Sequence, residues 1–189
     1  MESHGRWIEV ISPTSQDIET PYSSDTFPEG ASRVAQEGFS GEIAEHGYWG
    51  SMRDRLPRGQ LDPLIPEGMP TVQEGAGIVR VQPHGNLALI RSGQDWTLCG
   101  ETEREDYFGN VEPHLRAGMD FLSTDGQEIG CFATRYMTSC DIDGKPLPHT
   151  FGLSFWHSLN DLEAWAESHP THLKIFGSAM HFLQDNVNT

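Results

Sequence analysis

The sequence is poor in positive charge. Its 12 lysine and arginine residues are outnumbered by 28 aspartates and glutamates, which gives a formal net charge of −16. Nucleic acids and anionic membrane surfaces are recognised by positively charged surfaces, so this balance argues against both as partners. The nine histidines lower the negative charge only below about pH 6.5.

Cysteines and long apolar runs are also scarce. Cys99, Cys131 and Cys140 are odd in number and show no C-x-x-C spacing, which excludes a disulfide framework, a zinc knuckle and covalent c-type haem on motif grounds. The N-terminus lacks an apolar signal core, and no apolar run approaches the length of a membrane span. These absences predict a cytoplasmic location, and 189 residues suffice for one domain with a core.

Two regions of different character follow each other along the chain. Residues 1–76 are rich in Ser, Thr, Pro and Gly and read as loop, apart from the alternating residues 7–11, which predict a short strand. Residues 77–189 are dense in regular patterns. These patterns predict strands at 77–81 and 87–92 around the turn 84–86, a helix at 101–122, strands at 128–139 and 149–156, and helices at 158–168 and after Pro170.

The order from residue 87 onward, β-α-β-β-α, is typical of a split βαβ sandwich. We therefore expect an α+β, ferredoxin-like unit with an antiparallel sheet and helices on one face. Such a unit needs one more strand beside the first, and the sequence ends at Thr189 before that strand appears. The prediction is a loop-rich region 1–76 and an incomplete ferredoxin-like unit 77–189.

A histidine lies on the apolar stripe of the last helix. His172 precedes Ile175, Phe176, Ala179 and Met180 at the spacing of one helix face. A histidine in an apolar layer must hydrogen-bond, stay neutral or bind a ligand, and the simplest alternative is a buried histidine held by a backbone carbonyl.

Two features of His172 favour ligation. It lies in the first helical turn, where the positive dipole end disfavours the imidazolium form. Its neighbour His169 is separated from it by Pro170, so the pair is a poor chelate. A single axial nitrogen suits haem better than zinc, which takes three or four protein ligands.

Two other segments are candidates for chemistry. Ser92 stands at a strand end in the segment SGQDW; its hydroxyl either faces a cavity or caps a turn, and the G-x-S-x-G elbow of a serine nucleophile is absent. The segment EHGYWGSMRDR, residues 45–55, combines aromatics, glycines and arginines. It suits the wall of a cavity that holds a cation, or else forms a surface ion-pair cluster of little energetic value.

These segments together resemble the haem-containing aldoxime dehydratases. The resemblance is carried by GEIAEHGYWGSMRDRLP (41–57), NLALIRSGQDW (86–96) and LEAWAESHPTHLKIF (162–176), with support from GMDFL and GQEIGC between 118 and 131. It implies a fold of two ferredoxin-like units of the dimeric α+β barrel type, with non-covalent haem b. The chain resembles the second half of such a protein, and we therefore expect it to be a fragment.

The resemblance also implies roles for individual residues. His172 matches the proximal ligand of the haem iron, Ser92 the distal serine that hydrogen-bonds the oxime hydroxyl, and Arg55 the distal arginine. Glu19 falls near the family's distal glutamate, where the flanking similarity is thin. No residue here matches the family's distal acid–base histidine, which lies on a strand about twenty residues beyond the proximal ligand.

The reaction that the resemblance implies is dehydration of an aldoxime, R-CH=N-OH, to a nitrile and water. Ferrous iron would bind the oxime nitrogen, while Ser92 and Arg55 polarise the departing oxygen. The expected partner is therefore a small-molecule aldoxime, and a homodimer is left open. Two alternatives stay open as well: a non-catalytic haem-binding module, and a ferredoxin-like dimerisation domain without haem.

Overall fold

Among the described residues, regular secondary structure is concentrated in the C-terminal two thirds of the chain. The computed structural model describes residues 5–21, 30–34, 38–41 and 51–186. The chain divides into two compact units, Met1–Pro63 and Leu64–Thr189.

The first unit holds only short helical segments among its described residues. Two of these are 3-10 helices, Gly30–Val34 and Pro57–Gln60, and the third is helix α1, Ser51–Arg55. The predicted strand at 7–11 is wrong: these residues form no strand, and Trp7 is 74% exposed. Alternation alone does not make a strand when no partner strand supplies the ladder hydrogen bonds.

The second unit begins with an isolated hairpin. Strand β1, Thr71–Gly75, pairs antiparallel with β2, Ile78–Gln82, and every residue of both strands is exposed. The sequence predicts that β2 and the next strand flank the turn at 84–86, but the two do not pair. The connection is instead held by backbone bonds between Glu67 and Gly85 and by the His84 ring, whose Nε2 lies 2.8 Å from the His157 carbonyl oxygen.

A three-stranded sheet forms the centre of this unit. Its order is β3 (Ala88–Asp95), β5 (Pro146–Trp156), β4 (Cys131–Cys140), with both pairings antiparallel. Strands β3 and β4 therefore run parallel on either side of β5. Among the described residues, no strand pairs with the outer edge of β3.

The helical connection between β3 and β4 matches the predicted helix with one interruption. Helix α2, Glu101–Asp106, continues through a π turn, Tyr107–Val111, into α3, Glu112–Thr124. Pro113 stands in the first turn of α3, directly after the π turn. Proline has no N–H to donate to the preceding turn, which is tolerated at a helix start.

Two helices follow the sheet. Helix α4, Leu159–Ser168, is capped by Ser158, whose Oγ accepts a hydrogen bond from the Asp161 N–H at 3.1 Å. Helix α5, Pro170–Asn186, begins at Pro170, two residues after α4 ends. No helix in the described parts of the chain is long and apolar enough to cross a membrane.

The core lies between the sheet, α3 and α4. Trp156 of β5 is fully buried, and its ring centroid lies 5.5 Å from that of Trp165 of α4. Apolar side chains of the helical connection and of α4 complete the core: Tyr107, Val111, Leu115, Met119, Leu122, Leu159 and Leu162. All three cysteines are free thiols.

Candidate haem-binding site

The His172 side chain is held by the helix that precedes its own. Its Nδ1 lies 2.7 Å from the carbonyl oxygen of Ala166, in the last turn of α4. Carbonyls of a last helical turn lack an intrahelical partner, so the imidazole satisfies one of them. The contact is possible because Pro170 starts α5 directly after α4 and brings the first turn of α5 under that carbonyl.

This hydrogen bond selects one tautomer of His172. A carbonyl oxygen only accepts, so Nδ1 carries the proton and Nε2 is left unprotonated. Burial lowers the pKa of His172 below 6.5, with the Ala166 hydrogen bond opposing that shift. The imidazole is therefore neutral at pH 7, with its lone pair on Nε2, which is the form that binds a metal ion.

Neighbouring side chains restrict the orientation of the His172 ring. The Trp165 ring packs edge-on against it, with centroids 4.6 Å apart. The Trp165 Nε1–H donates to the Thr171 hydroxyl at 3.1 Å, which ties α4 to the start of α5. His169 is engaged elsewhere: its ring stacks on Phe121 at 4.4 Å, and its Nδ1 lies 2.9 Å from the Thr171 hydroxyl.

Ser92 lies on the edge strand β3. It stands opposite Gly152 of β5, so both residues face the same side of the sheet. A Cβ added at Gly152 would lie 3.0 Å from the Met119 sulfur of α3 and 3.7 Å from the Ser92 Oγ. The Ser92 hydroxyl therefore faces the side of the sheet on which the helices pack, and it accepts a hydrogen bond from Gln94 at 3.5 Å.

Arg55 and Glu19 form an ion pair in the first unit. Arg55 Nε and Nη2 donate to the two Glu19 carboxylate oxygens at 2.8 and 3.1 Å. Both side chains are largely shielded, with 10% and 17% exposed. A shielded, two-pronged arginine–carboxylate pair is stronger and more rigid than a surface pair. The family resemblance matched Arg55 and Glu19 one at a time, and the structure shows that the two side chains are in contact.

A second ion pair supports the same part of the first unit. Arg58 pairs with Asp17 through Nε, and the Arg58 N–H donates to the Gln16 carbonyl at 2.9 Å. The hydrogen bond from Arg58 lowers the pKa of Asp17 well below its usual range. The segment that precedes Glu19 is thus bound to Arg58 through the ion pair with Asp17 and the backbone hydrogen bond to Gln16.

The predicted site residues fall into two sets. His172 and Ser92 lie in the second unit on the same side of the sheet, since His172 packs on Trp165, Trp165 on Trp156, and Trp156 is paired with Ala88 of β3. Arg55 and Glu19 lie in the first unit. The segment 42–50 of the resembling motif lies outside the described residues.

The sequence motifs did not predict two groups that contact the candidate site residues. The Ala166 carbonyl that orients His172 has no sequence signal, because any residue supplies a carbonyl. Gln94 does have a sequence signal: it follows Ser92 by two residues on a strand, and the two side chains therefore share one face.

Comparison with known proteins places this arrangement in a family. The family model described as haem-containing dehydratase matches residues 1–187. The aliphatic aldoxime dehydratase of Rhodococcus globerulus is 44% identical over 176 residues, covering 91% of this chain and 50% of the relative. The phenylacetaldoxime dehydratase of Bacillus sp. (strain OxB-1) is 33% identical over 188 residues, covering 95% and 52%. The chain thus spans about half the length of these relatives.

Solved structures agree with the sequence comparison. An aldoxime dehydratase crystallised with butyraldoxime superimposes with a TM-score of 0.73 at 44% identity, covering 79% of this chain and 42% of that chain. Another aldoxime dehydratase crystal structure gives a TM-score of 0.71 at 45% identity, covering 78% and 43%. The mixed α/β architecture with antiparallel sheets and helices is therefore shared with these enzymes, and the chain belongs to the haem-containing dehydratase family.

Proposed function

We propose that this chain serves in haem-dependent dehydration of aldoximes to nitriles, a carbon–nitrogen lyase reaction. The observation that carries the proposal is the state of His172, a neutral imidazole whose Nδ1–H is bonded to a helix-end carbonyl. The family match supports it, since relatives that this chain resembles are named aliphatic aldoxime dehydratase and phenylacetaldoxime dehydratase.

The residues on this side of the sheet fit haem b. A proximal histidine needs an unprotonated Nε2 and an outer hydrogen bond that orients the ring, and His172 has both. Haem also needs an apolar surface, and α5 offers one: it carries Leu173, Met180 and Leu183, each about two fifths to half exposed, and buries none of its residues. Bound haem would supply a Lewis-acidic ferrous iron.

The chain's own groups would act on the oxime oxygen. Hydroxide is a poor leaving group, so the oxygen must receive hydrogen bonds as it departs. The Ser92 hydroxyl is proposed as one donor, because it faces the helix side of the sheet that also carries His172. Arg55 is proposed as a distal cation, with Glu19 holding its guanidinium in one orientation.

The finer assignment of fold is part of the proposal. The order β3–β5–β4, with β3 and β4 parallel across β5, is what three strands of a ferredoxin-like unit adopt. This supports a ferredoxin-like unit of the dimeric α+β barrel type, preceded by a loop-rich region that carries the Arg55 motif. The cytoplasmic location and a homodimer stay predictions, to be checked by fractionation and by sizing in solution.

Titration of the 189-residue chain with haem tests the site. We expect a Soret band of histidine-ligated haem, and His172→Ala should weaken haem binding by more than the roughly 10–100-fold typical of outer-shell changes. His169→Ala is the matched control, since that ring stacks on Phe121 and should leave haem affinity within about twofold of wild type. Equal haem affinity in His172→Ala would contradict the proposal.

Conversion of butyraldoxime by the reduced, haem-loaded chain tests the reaction. Butyraldoxime is the ligand of a structurally similar enzyme, and nitrile formation is measured by chromatography. We expect Ser92→Ala to reduce the rate by roughly 100-fold or more, as loss of one preorganised donor does. Haem binding without nitrile formation would instead favour a non-catalytic haem-binding module.

A further inference from the structure

A chain of hydrogen bonds leads across the sheet to Ser92. The Tyr136 hydroxyl on β4 donates to the Thr150 hydroxyl on β5 at 3.1 Å, and Thr150 donates to the Gln94 side-chain carbonyl on β3 at 3.2 Å. The Gln94 amide then donates to the Ser92 Oγ at 3.5 Å. The four side chains thus connect all three strands in one direction.

The strand register creates this arrangement. Gln94 stands directly opposite Thr150, and Ser92 stands opposite Gly152. Directly opposed residues of an antiparallel pair face the same side of the sheet at contact distance. Gly152 places no side chain across from Ser92, so the neighbour two residues along β3 supplies the hydrogen bond.

The hydrogen-bond assignment gives the chain one direction. With the Tyr136 hydroxyl as donor, the Thr150 oxygen accepts, and the single Thr150 hydroxyl proton is donated to the Gln94 side-chain carbonyl. The Gln94 carbonyl is therefore committed to Thr150, which turns the amide nitrogen toward Ser92. The Ser92 oxygen accepts, and its own proton is left to donate.

We infer that Gln94 is a positioning residue that makes Ser92 a hydrogen-bond donor toward the oxime oxygen. The inference rests on the proposed function, because that function supplies the acceptor. Linked hydrogen bonds polarise one another, so a donor to the Ser92 oxygen strengthens the bond that Ser92 itself donates. Thr150, which is 8% exposed, keeps the Gln94 amide from rotating.

The test uses the C–O stretching frequency of carbon monoxide bound to the ferrous, haem-loaded chain. A donor directed at the bound oxygen lowers this frequency, and the measurement does not depend on turnover. We expect Ser92→Ala to raise the frequency, and Gln94→Met and Thr150→Val to raise it in the same direction by less. Thr150→Ser keeps the hydroxyl and should keep the wild-type frequency.

Gln73→Met is the matched control for Gln94→Met, because Gln73 is an exposed glutamine on strand β1. In turnover of butyraldoxime, Gln94→Met should reduce kcat by roughly 3- to 10-fold, the size of one neutral hydrogen bond, with KM nearly unchanged. Thermal melts of all variants report whether the fold is kept.

The outcomes separate the two claims. A wild-type chain that forms no ferrous carbonyl complex overturns the proposed function, and the inference falls with it. A wild-type complex whose frequency is unchanged in Gln94→Met and Thr150→Val overturns the inference alone, even if both variants melt earlier. Recovery of the wild-type frequency in Thr150→Ser but not in Thr150→Val supports it.

Discussion

Helices α4 and α5 follow each other in the chain and yet serve different purposes. Helix α4 buries Leu159, Leu162, Trp165 and Ala166 against the sheet and is capped at its start. Helix α5 is longer and buries no residue, although it carries an apolar stripe. The difference teaches that α4 belongs to the core, whereas α5 leaves Leu173, Met180 and Leu183 exposed, and we propose that these side chains contact haem.

Leucine truncation on the two helices should show this contrast most strongly. Leu162 of α4 is 3% exposed and Leu183 of α5 is 49% exposed. We expect Leu162→Ala to lower the free energy of unfolding by about 2–5 kcal/mol, since it leaves a cavity, and Leu183→Ala to lower it by about 1 kcal/mol or less. Denaturant melts without haem measure both, and equal losses would refute the contrast.

The contact between α3 and α5 is the next place to test. A Cβ added to Gly118 of α3 would lie 2.4 Å from the Ile175 Cδ1 of α5, whereas one added to Gly177 of α5 meets nothing within 4 Å. Gly118→Leu should therefore cost about 1–3 kcal/mol through overpacking. Gly177→Leu should stabilise by about 0.5–1 kcal/mol through helix propensity. If both substitutions raised the free energy of unfolding, the contact between α3 and α5 would not restrict the size of the side chain at position 118.

The capping of α4 predicts a smaller effect. The buried Ser158 accepts from the Asp161 N–H, and Ser158→Ala should cost about 1 kcal/mol of unfolding free energy. Ser168, at the exposed end of the same helix, only donates to the Ala164 carbonyl. Ser168→Ala should change stability by less than about 0.5 kcal/mol, and a larger loss there than at Ser158 would contradict the assignment of the cap.

The contact between the two helices also predicts a dependence on pH. Burial lowers the pKa of His172 in the folded chain, so between that value and 6.5 the unfolded chain takes up a proton that the folded chain resists. Stability without haem should fall as pH drops through this window. His172→Gln removes the titrating group, and its melting temperature should fall less than that of wild type over the same range. If the melting temperatures of both proteins fell equally with pH, His172 would not be the group responsible for the loss of stability.

Local patterns predicted much of the fold. The helix that follows Ser158 and the start of the next helix at Pro170 depend on neighbours within four residues, and the structure has both where the sequence pattern predicted them. The predicted strand at 7–11 failed because strand formation needs a distant partner. The pairing of β3 with β5 and not with β2 is also a long-range choice, and the turn at 84–86 carried no signal for it.

The candidate site divides in the same way. Motif resemblance predicted roles for His172, Ser92, Arg55 and Glu19, but not that Arg55 and Glu19 form a two-pronged ion pair across 36 positions of sequence. It also named Gln94 only as part of a motif. The register of β3 against β5 places Gln94 opposite Thr150, and this pairing underlies the proposed role of Gln94 in positioning Ser92.

The sequence by itself determined the charge balance, the helix periods and the resemblance to a haem-containing family, because composition and short-range spacing depend on consecutive residues. Only the tertiary structure decided the proton position on His172, which depends on the Ala166 carbonyl, and the half-exposed state of α5. A backbone carbonyl is the same in every residue, and exposure depends on what packs nearby. Both follow from three-dimensional proximity, which local sequence does not encode.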